Sequence, residues 1–317
     1  MKVSVAMATY NGEKYLLEQL DSIRLQSHAV DEVVICDDGS SDNTVSLVQE
    51  YIADHHLNGW KLIQNEFNLG YANNFHKALG LVSGDIVFFC DQDDVWTRHR
   101  IERMAGQFAL NDDIDVLYSE FDLFSSSSMR GKRVSSPLQK RMTGDGSLER
   151  ALFEPFNISI RTEGCTMAVR RSFLEEIEPY WFSGFAHDDF VWRLSLCKGS
   201  LFMLHETTLH RRIHGDNVST SKMHEHGKRL AFLRTLKGAN EAMLRYGINL
   251  SLPDHYIELL KDGVDSASMR EYMISRGKPL CSIKLALKYP HCYYSLKAIP
   301  VELFMSLRQF IFGPRGE

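Results

Sequence analysis

Asp85-Ile86-Val87-Phe88-Phe89-Cys90-Asp91-Gln92-Asp93-Asp94-Val95-Trp96 is the stretch on which the fold turns. Its first half is a short apolar run rich in β-branched and aromatic residues, bounded by charge, and predicts a strand buried on both faces of a parallel sheet. Its second half places three carboxylates at the carboxyl end of that strand. Such groups repel one another unless a cation sits among them. Asp-x-Asp offers hard oxygen donors of the kind that Mg²⁺ and Mn²⁺ take, and those ions also take diphosphate oxygens, so a nucleoside diphosphate is the expected partner. The plainer alternative is an acidic turn that only caps the following helix.

Working outward, strand and helix alternate from Lys2 to Tyr118, the pattern of a parallel α/β sheet. Lys2–Ala8 predicts a first strand and Thr9-Tyr10-Asn11-Gly12 a turn, after which Leu16, Leu20 and Ile23 recur on one helical face. Glu32–Cys36 predicts a second strand. It runs into Asp37-Asp38-Gly39-Ser40-Ser41-Asp42, where Gly39 allows a tight turn and Ser41 or Asp42 can cap the next helix. Leu62–Gln64 is a third strand, and Asn68-Leu69-Gly70 turns into a helix with Phe75, Leu79 and Val82 inward. Ile101, Met104, Ala105 and Phe108 mark the helix after the acidic motif, and Val116–Tyr118 a further core strand. Ligands in such sheets bind in the crevice beyond the carboxyl ends of the strands. Three polar loops converge there. A carboxylate such as Asp38 can accept from the imide N–H of uracil or thymine. Alternatively, Asp37 and Asp38 serve only to cap a helix.

The chain has 317 residues, 44% hydrophobic and 24% charged, which is ordinary globular composition. A net charge of −5 argues against a general nucleic-acid binder. No stretch reads as a signal peptide or as a bilayer span. The six cysteines show no Cys-x-x-Cys pairing, and Cys36 and Cys90 fall inside predicted core strands, so a reducing cytoplasm without disulfides is expected. Order breaks down between Ser125 and Ser147, where a serine run precedes Arg130, Lys132, Arg133, Lys140 and Arg141; this reads as a mobile basic loop. Cys165–Val169 predicts a strand. Asp188–Cys197 predicts a short helix with Phe190, Val191 and Leu194 buried, ended by Gly199. From Lys222 onward the chain reads as helical. Its tail, Pro279–Phe312, mixes Leu285, Leu287, Tyr293, Tyr294, Phe304, Phe310 and Phe312 with Lys284, Lys288, Lys297 and Arg308. Such a stretch suits either a membrane surface or helix packing, and periodicity alone does not separate the two.

The loops, taken in order, carry a resemblance. Val3-Ser4-Val5-Ala6-Met7-Ala8-Thr9-Tyr10-Asn11-Gly12, then Asp37-Asp38-Gly39-Ser40-Ser41-Asp42, Asn68-Leu69-Gly70 and Asp91-Gln92-Asp93-Asp94-Val95-Trp96 resemble a family 2 inverting glycosyltransferase with the GT-A fold. The acidic motif ending in Val-Trp is especially similar to the rhamnosyltransferase-like branch of bacterial polysaccharide assembly. The resemblance covers residues 1–220. It implies a GT-A, Rossmann-like, mostly parallel sheet with flanking helices over 1–220 and a helical extension over 221–317 that can lie on a membrane. It implies that Thr9, Tyr10 and Asn11 line the nucleotide pocket, that Asp38 contacts the base and Asp91 the ribose or sugar, and that Asp93 binds Mn²⁺ or Mg²⁺. Asp94 then helps through water or caps the next helix.

Two later segments complete the resemblance. His187-Asp188-Asp189 stands where family members carry Glu-Asp, with the aspartate as catalytic base; this makes Asp188 the leading base and Asp189 the alternate. Arg211-Arg212-Ile213-His214-Gly215-Asp216-Asn217 resembles a late Arg-x-His-Gly-x-Asn segment, with His214 as a further metal ligand or diphosphate donor and His210 as a second choice. Arg211 and Arg212 are expected to clamp phosphate. Trp181 and Phe182, just before the base, either stack on an acceptor sugar or fill core. The implied reaction is a single inverting displacement from a dTDP- or UDP-sugar (dTDP-rhamnose or a UDP-hexose). The implied acceptor is a glycan or a polyprenyl-diphosphate-linked glycan of O-antigen or capsule type, met at the cytoplasmic face of the inner membrane. Two other readings compete. Phe88–Val95 loosely fits the strand–Asp-x-Asp motif of haloacid-dehalogenase-like phosphohydrolases, with Asp91 as nucleophile. The fold can also serve a non-catalytic nucleotide-sugar-binding protein.

Overall fold

The computed structural model describes residues 1–125, 137–160, 163–214, 225–293 and 295–313. Arg130, Lys132 and Arg133 of the basic segment, Gly215–Ser219 of the late motif and Tyr294 lie outside the described residues. The chain divides into two compact units, one of Met1–Ala151 with Thr162–Asn217, the other of Leu152–Arg161 with Val218–Glu317.

In the first unit, β1 (Val3–Thr9), β2 (Glu32–Asp37), β3 (Trp60–Gln64) and β4 (Ile86–Cys90) alternate with α1 (Leu16–Arg24), α2 (Thr44–Asp54) and α3 (Tyr71–Leu81). After β5 (Val95–Trp96) and α4 (Arg100–Leu110) come β6 (Val116–Ser125), β7 (Leu148–Arg150), β8 (Met167–Arg170), α6 (Arg171–Ile177), α7 (His187–Lys198) and β9 (Leu201–Ile213). The described strands form one sheet in the order β3-β2-β1-β4-β8-β6-β9-β5, with β7 also paired to β9. The first four strands run parallel, and β8 is antiparallel to both β4 and β6. All five residues of β4 are fully buried, as the apolar run requires.

The loops behave as their residues dictate. Gly39 and Gly70 sit at φ +79° and +80°, backbone that side chains with a Cβ rarely adopt. Asp42, one residue ahead of the N-cap position Asn43, accepts the Thr44 N–H at 3.0 Å at the start of α2. Gly199, at φ +71°, closes α7. The sequence misplaces two features. Cys165 and Thr166 are not strand but lie in a 3-10 turn, Gly164–Thr166, that leads into β8. The loose loop expected to run through Ser147 ends sooner: Pro137–Arg141 is a 3-10 turn with Leu138 buried, and the Thr143 and Gly144 N–H groups donate to Glu120 at 2.6 and 3.1 Å.

The second unit is helical, with α5 (Pro155–Ser159), α8 (His226–Asn249), α9 (Asp254–Ser275), α10 (Cys281–Lys288) and α11 (Ala298–Phe312). Leu233, Met273, Ile274, Leu285, Tyr289, Tyr293 and Met305 form its core. At its centre Glu302, fully buried, accepts from Arg229 Nε at 2.9 Å and Arg270 Nη2 at 2.7 Å, with the Arg270 guanidinium over the Tyr293 ring. No described helix is long and apolar enough to cross a membrane.

Candidate functional site

The three special loops of the sheet edge are stitched to one another. Asn11, in left-handed backbone at φ 48°, donates its N–H to Ser40 Oγ at 2.9 Å and accepts the Ser41 N–H on Oδ1 at 2.8 Å, tying the β1 loop to the β2 loop. Gln92 ties the acidic motif to the β1 loop: its Oε1 accepts the Tyr10 N–H at 2.8 Å and its Nε2 donates to the Tyr10 carbonyl at 3.1 Å. Thr9 is buried and donates to Asp37 Oδ2 at 2.9 Å. Tyr10 is half exposed at the mouth. Asp38 is buried, and both its oxygens are engaged. Oδ1 accepts the Leu69 N–H at 2.7 Å and the Asn65 amide at 2.9 Å, and Oδ2 accepts the Gly70 N–H at 2.9 Å. Asp38 therefore shapes the Asn68–Gly70 turn, which the sequence alone does not reveal, and a base would have to share a carboxylate already holding that turn.

The acidic motif meets β9 because β5, immediately after it, pairs antiparallel with β9, setting Val95 opposite His210 and Trp96 opposite Leu209. That register delivers the end of β9 to the aspartates. Asp93 Oδ2 lies 2.6 Å from His214 Nε2, and Asp94 Oδ1 accepts the Arg212 N–H at 2.9 Å. Arg212 Nε donates to the Asp93 carbonyl at 2.9 Å, its Nη2 reaches Glu18, and its guanidinium lies between the Tyr15 and Phe124 rings. The phosphate clamp expected of Arg212 is thus occupied in holding the acidic loop. Arg211 pairs with Glu163 at 3.1 Å. Desolvation pulls its pKa down, but Cys165, Glu163, Asp94 and Asp91 outweigh this and hold it above the usual arginine value. His210 lies 3.7 Å from Asp122 and is not brought to Asp93 by any contact described.

Crowded carboxylates dominate the electrostatics. Burial and then the charges of Asp94 and Asp93 push the Asp91 carboxyl well above its usual pKa, with Arg211 opposing and Asp188 adding to the rise. Burial, then Asp93, pushes Asp94 up to about 7. Asp94 Oδ2 is buried without a well-formed hydrogen bond, the weakly donating Cys165 thiol alongside it. Donor atoms of Asp91, Asp94 and Cys165 lie within 4.8 Å of one another. An orphaned buried oxygen among mutually repelling carboxylates fits a small divalent cation that takes oxygen, Mn²⁺ or Mg²⁺. The expected ligands, Asp93 and His214, stand in contact with each other beside this group.

Two residues that sequence reasoning missed build the floor. Arg100 is fully buried: its Nη2 donates to the Cys165 carbonyl at 2.8 Å, its Nη1 to Ser119 and Thr208, and its guanidinium lies 4.8 Å from the Trp96 ring. Burial lowers its pKa to about 10, so it remains a cation at neutral pH, with Cys165, Cys90 and Asp94 opposing the drop. Gly164 is the second: a Cβ there would stand 2.7 Å from His187 Nε2 and 3.1 Å from Asp188 Cβ. This close approach seats the Cys165 turn against the start of α7. A Gly-Cys pair some seventy residues beyond the acidic motif gives no local sign of that meeting.

At the start of α7, Asp189 is spent on Arg193, whose Nε donates to it at 2.7 Å. Asp188 accepts the Asp189 N–H at 2.9 Å, and its charge is close enough to bear on Asp91. His187 is buried, stacked on Phe75 with centroids 3.6 Å apart, and neither ring nitrogen has a partner. Desolvation lowers its pKa to about 4 against the pull of Asp188, so it is neutral at pH 7. Trp181 stacks on His76 at 3.6 Å and donates to the Phe185 carbonyl at 3.1 Å, and Phe182 stacks on Phe185 at 4.8 Å. Both aromatics are partly exposed, Trp181 held by the His76 stack and the Phe185 carbonyl and Phe182 by the Phe185 ring.

Residues 4–177 match the family described as Glycosyl transferase family 2. An uncharacterized glycosyltransferase of Nostoc sp. is 28% identical over 237 residues, 68% of this chain and 66% of the relative. The UDP-Glc:alpha-D-GlcNAc-diphosphoundecaprenol beta-1,3-glucosyltransferase WfgD of Escherichia coli is 34% identical over 133 residues, 42% of this chain and 51% of the relative. The crystal structure of S. aureus TarS 1–349 in complex with UDP superposes with a TM-score of 0.65 at 17% identity, covering 100% of this chain and 93% of that one. The chain spans between about half and two thirds of the length of these curated relatives.

Proposed function

Because the chain belongs to glycosyl transferase family 2, we propose that it moves a hexose, with inversion, from a nucleoside-diphosphate sugar to a hydroxyl of a glycan or lipid-linked acceptor. The observation that supports this best is the meeting at one sheet edge of the Asp91, Asp93 and Asp94 carboxylates with Asp188 at the start of α7. The GT-A fold, a mixed sheet with its polar loops at one edge, provides the frame for that meeting.

Uridine diphosphate is the favoured nucleotide. WfgD is named for a UDP-Glc donor and a diphosphoundecaprenol-linked acceptor, and the TarS structure was solved with UDP. That support points to a UDP-sugar and not to dTDP-rhamnose, the branch expectation drawn from the acidic motif. By the same analogy the acceptor is a polyprenyl-diphosphate-linked glycan in surface polysaccharide assembly, reached from the cytoplasm at the inner face of the membrane.

In the reaction, Asp188 takes the proton of the acceptor hydroxyl as that oxygen bonds to the anomeric carbon. The bond from that carbon to the diphosphate breaks, and its electron pair leaves with the diphosphate. Asp188 is assigned this role over Asp189 because Asp189 is neutralised by Arg193. Asp93, with Asp91, Asp94 and His214 around it, would hold Mn²⁺ or Mg²⁺, which when bound supplies charge neutralisation to the leaving group. Arg211 adds a buried cation to the same side, and Arg212 keeps the acidic loop in place. Tyr10 and Thr9 flank the nucleotide, Asn11 fixes the loop that carries them, and Asp38 reaches the base through the turn it shapes. Trp181 and Phe182 stand on the acceptor side.

A thermal-shift panel tests the donor site. With Mn²⁺ present, UDP should raise the melting temperature above that with dTDP, GDP or CDP, since a ligand held by the folded state stabilises it by mass action, about 2.7 kcal/mol at a hundredfold excess over Kd. A larger shift with dTDP would restore the rhamnosyl reading. No shift with any nucleotide, metal present or absent, would overturn the donor site.

A further inference from the structure

Helix α11 is apolar on two sides: Met305 joins the core and Ile299 and Val301 pack against it, while a second apolar face is exposed. Its polar residues Glu302 and Ser306 are the fully buried ones: Glu302 sits between Arg229 and Arg270, and Ser306 donates to the Met273 carbonyl at 2.6 Å. The opposite face carries Pro300, Phe304, Leu307 and Ile311, one or two turns apart, with Phe304 66% and Ile311 64% exposed. α10 also carries an exposed apolar stripe, although its one buried residue is itself apolar. Leu285 is buried, whereas Leu280, Ile283 and Leu287, at the spacing of one helical stripe, are 79%, 57% and 80% exposed. A helix on a water-facing surface turns its apolar stripe inward, so two neighbouring helices that present one outward mark a surface that something apolar covers.

Charge identifies what covers it. Among the described residues after Ser275, the exposed charged side chains are all cations: Arg276, Lys278, Lys284, Lys288, Lys297 and Arg308. The one carboxylate of that stretch, Glu302, is buried. Asp262 of α9 approaches Lys288 at 3.9 Å and His291 at 3.5 Å, so that corner alone is offset. The chain as a whole carries −5, which makes this basic surface a local feature. A second copy of the chain would bring the same cations face to face. An anionic bilayer complements both properties: apolar side chains enter the acyl boundary while lysine and arginine stems reach out to headgroup phosphates.

The geometry points to α10 and α11 as a monotopic anchor that lies in the surface of an anionic lipid bilayer. The inference deepens the proposed lipid-linked acceptor and rests on that reading for its purpose. Its evidence is separate.

Flotation of the 317-residue chain with lipid vesicles tests it. Vesicles of equimolar phosphatidylcholine and phosphatidylglycerol should carry the protein, less so as salt rises, and vesicles of phosphatidylcholine alone should carry little. The double variant Phe304→Ser/Ile311→Ser should lower partition by roughly tenfold or more. Lys284→Gln/Lys288→Gln should lower it by roughly tenfold, and only on the anionic vesicles. Both variants alter exposed side chains, and both should keep the UDP shift with Mn²⁺, so that failure of the donor site and failure of the anchor are read independently. Flotation no better with anionic than with neutral vesicles would overturn the anchor. So would a reversible dimer that Phe304→Ser abolishes while no vesicle is bound.

Discussion

Two clusters of buried charge stand in this molecule, one in each unit, and they are built on opposite terms. In the helical unit, Glu302 lies between Arg229 and Arg270, every charge answered by a hydrogen bond. In the sheet unit, Asp91, Asp93 and Asp94 crowd together, two of them with raised pKa values and one oxygen without a well-formed partner. The satisfied cluster holds helices in register. The incompletely paired one keeps unfavourable electrostatic energy that a bound cation would relieve. Burial of charge alone thus says little about function; the completeness of its pairing says more.

The largest expected effect sharpens the functional side of this contrast. Asp188→Asn should slow transfer by about 10²–10⁴-fold while leaving the UDP shift with Mn²⁺ in place. Near wild-type turnover in a steady-state assay would move the base elsewhere.

Next comes the structural side. Glu302→Gln leaves two arginines buried without a counter-charge and should cost about 3–5 kcal/mol, read as a drop in denaturant midpoint. A loss below about 1 kcal/mol would mean that water or a displaced helix end answers the arginines, and the contrast between the clusters would weaken.

The smallest effect has the opposite sign. Asp94→Asn keeps the oxygen that accepts the Arg212 N–H and removes a buried negative charge. With chelator present it should stabilise the protein by about 1–3 kcal/mol at pH 8. Because the folded-state pKa of Asp94 is raised, to about 7, its contribution to stability is full below the unfolded value near 4 and is lost as pH rises through 7. The gain from the substitution should therefore vanish at pH 4 in a melting series. Equal gains at both pH values would show that strain, not charge, is being relieved.

Much of the candidate site was legible in the sequence because its signals are local. A strand buried on both faces betrays itself by composition, and turns that need Gly39 or Gly70 betray themselves by glycine. What escaped depends on pairings far apart in the chain. Gln92 laces one loop to another and Arg100 holds the Cys165 turn from below, while the meeting of His214 with Asp93, which the resemblance implied, has its structural cause in the β5–β9 register. The sequence leaves Asp38 as either a base contact or a helix cap, and the structure shows two backbone N–H groups of the Asn68–Gly70 turn already occupying it. The tail shows a different limit. Periodicity marks α11 as two-sided, but only the positions of Arg229 and Arg270 reveal which side faces in.

The contact at Gly164 carries a consequence for how such an enzyme can diversify. With no room for a methyl group between residue 164 and the His187 and Asp188 side chains, the Gly164–Thr166 turn lies this close to the start of α7 only with glycine at 164. Lineages descending from this chain would keep glycine at 164, and with it the seat of Asp188, the proposed base. New acceptor preferences, on the proposed function, would be written instead in the aromatic approach around Trp181 and Phe182, whose contacts with Phe185 limit how freely it changes.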